Sequence, residues 1–113
     1  MGFLLRSDCA DAWCHFCAPA GARVTLAVVG TAGSVRFASV RYGETELVAG
    51  PAVEEVSFDV RPGRNVLTAV YVFSHGAEGR GRLCERSPDG RLQVLEEDLR
   101  GDNEVRGHRI CGV

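Results

Sequence analysis

Val56-Ser57-Phe58-Asp59-Val60-Arg61-Pro62-Gly63-Arg64-Asn65-Val66-Leu67-Thr68-Ala69-Val70-Tyr71-Val72-Phe73 is the stretch that decides the fold. Val56, Phe58 and Val60 alternate with Ser57, Asp59 and Arg61, the pattern of a strand with one apolar and one wet face. Arg61-Pro62-Gly63-Arg64 then turns the chain, because proline presets φ and glycine tolerates the left-handed region. From Val66 to Phe73 both parities are apolar: Val66, Val70 and Val72 on one, Leu67, Ala69, Tyr71 and Phe73 on the other. That pattern predicts a central strand covered on both faces.

Upstream, Val24, Leu26 and Val28 alternate with Thr25 and Ala27 until Gly30-Thr31-Ala32-Gly33 closes the run. Val35 and Phe37 share one parity, Val40 and Tyr42 the other. Such a phase change within one strand predicts a β-bulge near Ala38-Ser39. Gly43 turns the chain into Glu44 to Val48, and Gly50-Pro51 breaks it again. Downstream, His75 to Arg82 reads as a flexible Gly/Arg loop. Ser87-Pro88-Asp89-Gly90 lies between Leu83–Arg86 and Arg91–Leu95 as a hairpin turn. Leu92 to Arg100 is ambiguous, since Leu92, Leu95 and Leu99 also fit a short helical turn with Glu96, Glu97 and Asp98 facing water. Glu104 to Cys111 forms a last strand.

About seven or eight short antiparallel strands with turns between them, and no convincing helix, predict an all-β fold: a single Greek-key β-sandwich, immunoglobulin-like in architecture. That likeness is architectural only, because no Trp lies between Cys84 and Cys111. Residues 1–20 hold three of the five cysteines and the single Trp, with no sustained period, and are read as an irregular Cys-rich arm against a sandwich spanning 21–113.

The chain has 113 residues, 45% hydrophobic and 25% charged, which suits one globular domain. A formal net charge of −2 argues against nucleic acid as a partner. All 13 basic residues are Arg. This usage is that of a GC-rich bacterial coding sequence, or of selection for forked guanidinium recognition of anions. The absence of Lys excludes lysine Schiff-base chemistry and a P-loop lysine. Met1 to Asp8 lacks the basic leader and apolar run of a signal peptide, and no window suits a membrane span, so a cytoplasmic protein is expected.

Cys9, Cys14, His15 and Cys17 cluster in sequence, with Cys84 and Cys111 as distant partners. The Cys14-x2-Cys17 spacing lets one turn aim two thiolates at a single ion. Zinc held by Cys9, Cys14, Cys17 and one of Cys84, Cys111 or His15 is one expectation. A bridge stapling the arm to Cys84 or Cys111 is another, and idle buried thiols a third. A thioredoxin-like pair is disfavoured, because no βαβ pattern surrounds it.

No constellation of nucleophile, base and orienting group is readable. Cys14-His15 and Ser74-His75 are sequence neighbours that a strand would point apart, and His15, His75 and His108 read as surface or loop histidines. The acidic run Glu96-Glu97-Asp98 lacks the spacing of a calcium loop. Arg100-Gly101-Asp102 spells the tripeptide recognised by integrins, a three-residue match expected by chance. Arg80 and Arg82 in the Gly/Arg loop are candidate anion-binding residues, and Trp13 is a candidate anchor for the arm or contact for a ligand. The expected function is a non-catalytic binding or assembly module, meeting a protein partner or its own copy as a homodimer, with no cofactor. The alternative is a zinc-binding or thiol-redox protein centred on the N-terminal cysteines.

Overall fold

The computed structural model describes residues 12–48, 50–74, 76–86, 92–100 and 105–113. Among these it is all-β, with nine strands and no helix: β1 (Phe16–Ala18), β2 (Arg23–Ala32), β3 (Val35–Tyr42), β4 (Thr45–Val48), β5 (Glu55–Asp59), β6 (Gly63–Phe73), β7 (Glu78–Arg86), β8 (Leu92–Arg100) and β9 (Val105–Gly112). They form a five-stranded sheet ordered β1-β9-β6-β3-β4 and a four-stranded sheet ordered β5-β2-β7-β8. One continuous apolar core draws on both sheets.

Each alternating run buries the face its pattern dictates. Val24, Leu26 and Val28 of β2 and Val56 and Phe58 of β5 enter the core, while Arg23, Glu55 and Asp59 stay wet. The phase change in β3 is a register shift between Phe37 and Ser39 against β6, and it leaves Phe37, Val40 and Tyr42 all buried. Tyr42 closes this end of the core. Its ring lies 4.7 Å from that of Phe58, and its hydroxyl accepts a 3.0 Å hydrogen bond from the Arg61 backbone N–H. The Arg61 guanidinium covers the same ring at 5.4 Å and donates to Thr45 Oγ1. The turn after β5 is thereby tied to the end of β3.

Four expectations need correction. The first concerns the arm, whose end is not irregular. Phe16–Ala18 forms β1, the only parallel strand among those described, with Phe16 beside Ile110 and Ala18 beside Gly112. Phe16 and Ala18 belong to the core. A three-residue strand is too short to show a period, so the antiparallel count of seven or eight missed it.

The second concerns the Gly/Arg segment. Glu78 to Arg82 is not a loop but the first half of β7, between β2 and β8. Glycine serves close approach there: a Cβ on Gly79 would lie 2.7 Å from the Val29 carbonyl oxygen and 3.0 Å from Val35.

Third, Leu92–Arg100, ambiguous in sequence between strand and helical turn, is strand throughout and not helical, paired with β7 from Arg86↔Leu92 to Glu78↔Arg100.

Finally, β6 is central as expected but is not covered on both faces. Leu67, Ala69 and Tyr71 are buried, whereas Val66 and Val72 on its outer side are 42% and 50% exposed.

Candidate functional site

Four of the sequence-predicted residues, Trp13, Cys14, Cys17 and Cys111, converge at the outer edge of the five-stranded sheet, where β1 joins β9. In the parallel register Cys17 stands beside Cys111, and antiparallel pairing places Arg64 opposite Cys111 from the other side. Cys14, just ahead of β1, is joined to Cys111 by a disulfide with a Cα–Cα separation of 5.9 Å. The Sγ atoms of Cys14, Cys17 and Cys111 all lie within 4.8 Å of one another. Cys14 and Cys111 are buried and Cys17 half-buried. Cys111 belongs to the outward parity of β9, so its burial comes from the chain around Cys14 lying over it.

Trp13 sits at the rim of this cluster, with the guanidinium groups of Arg64 and Arg109 each 5.5 Å from its ring. Two cations on one indole is a cation–π arrangement that fixes the tryptophan against the sheet. Trp13 is thus placed as an anchor for the chain entering β1. His15 faces Arg109, whose guanidinium donates to its Nε2, 2.8 Å from Nη2 and 3.2 Å from Nε. A guanidinium has only donors, so Nε2 accepts here, and the Arg109 backbone N–H points at Nδ1 from 3.3 Å, so both ring nitrogens face donors of the same arginine. Burial, and then the Arg109 charge, lower the His15 pKa. With Nε2 engaged in this way, His15 is not placed as a sulfur cluster ligand.

The remaining candidates lie elsewhere. Arg80 is in mid-strand with its guanidinium 3.4 Å from Asp98, not in a mobile anion cradle. Cys84 belongs to β7, opposite Thr25 and Val94 in the other sheet. Cys9 and His75 lie outside the described residues, as do the side chains of Arg82 and Cys84. Two surface depressions lie among the described residues. One is lined by Val28, Val29, Gly30, Gly33, Ser34, Val35 and Glu54, the other by Leu47, Val48, Pro51, Val53, Glu55, Val56 and Ser57. Each is lined by one carboxylate and one serine among otherwise mainly apolar residues.

His108 is a further correction. It is not a surface residue but 3% exposed, facing inward opposite Leu67. Burial chiefly, then the nearby His15 and Arg106 charges, push its pKa down to about 3. The flanking Arg106 and Arg109 disguised this in the sequence; the signal available was the shared parity with Ile110. A histidine held neutral when folded takes up its proton only on unfolding, so the unfolded state binds more protons between pH 3 and the free-histidine value near 6.5. Stability is therefore full above about pH 6.5 and falls as pH drops through this window. The expected loss from His108 at pH 5 is about 2 kcal/mol. Urea unfolding at pH 7 and pH 5 checks this, and His108→Leu should remove that share of the pH dependence.

The chain matches no known protein family, no curated protein and no solved structure. Among the described residues no helix is long and apolar enough to cross a membrane.

Proposed function

We propose that this chain is a non-catalytic β-sandwich module for assembly, whose contact surface is the outer face of the five-stranded sheet and whose partner is a second copy of itself. The observation that carries the reading is the valine surface on that face. Val66, Thr68, Val70 and Val72 run along the outer side of β6, with Val105 beside Val70 and Gly107 beside Thr68 on β9. Val105 is 61% exposed. The sequence supplies β6 with the two apolar parities of a strand buried on both sides, and the monomer covers only one of them.

The face also offers both halves of a self-complementary fit. Val105 projects two residues from Gly107, where an added Cβ would approach nothing closer than Val66 Cγ1 at 4.0 Å. A two-fold axis would set each copy's valine over the other's glycine hollow, as an isologous interface requires. Arg41 and Glu46, opposite one another in register at the margin of the sheet, supply both charge signs for such a pairing.

The finer architecture belongs to the same proposal. β2 pairs with β5 while β3 pairs with β6, and β1 runs parallel to the last strand. These interlocked pairs support a Greek-key arrangement of immunoglobulin-like type, in which the β7–β8 hairpin is an insertion before the final strand.

Sedimentation velocity across a concentration series tests the assembly. The expected result is a concentration-dependent dimer that Val105→Asp dissociates without lowering stability by more than about 0.5 kcal/mol, since the site is exposed in the monomer. A wild-type chain that stays monomeric throughout, or a dimer indifferent to Val105→Asp, would overturn the reading.

A further inference from the structure

The sulfur cluster has a use that assembly does not draw on. We infer that, once reduced, Cys14, Cys17 and Cys111 form a three-thiolate site for a soft divalent cation, zinc by its chemistry. A tetrahedral zinc ion about 2.3 Å from each sulfur places those sulfurs about 3.8 Å apart. The three Sγ atoms already lie within 4.8 Å of one another, so rotamer adjustment alone closes the site around an ion. The backbone has done the expensive part. Parallel pairing sets Cys17 beside Cys111, and the turn through His15 returns Cys14 over both.

Local charge favours the same state. Three thiolates around a dication carry one net negative charge in a largely buried place. Arg64, opposite Cys111 in register, and Arg109, two residues away on the same side of β9, supply compensating positive charge. The two guanidiniums already flank the cluster through Trp13. The fourth coordination position is left to water or a further donor, which is the arrangement of a zinc site able to exchange a ligand.

Opening the Cys14–Cys111 bridge takes two electrons and two protons. A dithiol supplies them and is itself left as a disulfide. The thiols then release their protons to solvent as the ion binds. Bridge and metal are therefore alternative clasps on one seam, selected by redox conditions.

Cobalt(II) titration of the intact chain, reduced with a phosphine in place of the dithiol and kept free of oxygen, tests the inference. Stoichiometric binding with the intense visible bands of tetrahedral cobalt thiolate, displaced by zinc, is expected. Cys17→Ser, at the half-buried position of the cluster, should abolish those bands while the reduced variant keeps the β-sheet circular dichroism of the reduced wild type. Cys84→Ser, a substitution in the other sheet, should leave them unchanged. Should reduction unfold the chain, added zinc should restore the β-sheet spectrum. Absence of thiolate-to-cobalt bands in the reduced protein, bands that survive Cys17→Ser, or bands lost equally in Cys84→Ser would each overturn it.

Discussion

Deleting residues 1–18 yields a chain that does not hold its native fold at room temperature. Phe16 is fully buried and packs in the core with Ile110 at its side. Truncating such a phenylalanine costs about 3–5 kcal/mol. The deletion also removes the Cys14–Cys111 bridge, which spans 97 residues. In the chain-entropy account a loop of that length contributes roughly 4–5 kcal/mol by restricting the unfolded chain. Together these approach the whole stability of a domain this size, about 5–15 kcal/mol. The backbone loses as well. The His15 N–H bond to the Arg109 carbonyl and the Val113 N–H bond to the Ala18 carbonyl both disappear, baring the β9 edge to pairing between chains. Near-ultraviolet circular dichroism and urea titration of the truncated chain give the answer. A cooperative transition close to that of the full chain would show that β1 is an accessory, not a member of the core.

The second large effect separates the outer face of the five-stranded sheet from the interior between the sheets. Phe58→Ala should destabilise by about 3–5 kcal/mol, because Phe58 is 4% exposed and packs against the tilted ring of Tyr42 across the core. Val70→Ala should cost no more than about 1 kcal/mol, because Val70 lies half-buried on the outer side of β6. The comparison is made on monomer at low concentration, where no partner adds to the Val70 value. Comparable losses at the two positions would mean that the outer face is packed within the monomer.

Much of the strand framework is legible in the residues because it rests on local alternation. β2 and β5 follow from single-parity apolar runs, and the bulge in β3 from the change of phase after Phe37. What escaped depends on contacts remote in sequence. β1 has only three residues and takes its identity from β9, more than ninety positions away. Glycines at 79 and 81 look like loop residues, yet Gly79 is selected by the nearness of the Val29 carbonyl and Val35. Two apolar parities in Val66–Phe73 predict two covers, but sequence cannot say whether the second belongs to the same molecule. For the candidate site, Cys14-x2-Cys17 is visible as a spacing. The choice of Cys111 rather than Cys84 to complete the cluster is a matter of sheet order, which no local pattern encodes. His108 was hidden because charged neighbours surround an inward-facing position.

The parallel pairing of β1 with β9 also determines how the domain answers to mechanical tension. Pulling the chain apart from outside β1 and β9 slides these strands lengthwise past each other, so their hydrogen bonds are stretched together and not one after another. With Cys14 bonded to Cys111, force passes directly from residue 14 to residue 111 and bypasses everything between. The oxidised domain is then an inextensible link in whatever chain contains it. Reduction returns the strain to the strands, and the same short seam becomes a shear clamp whose failure releases the whole fold.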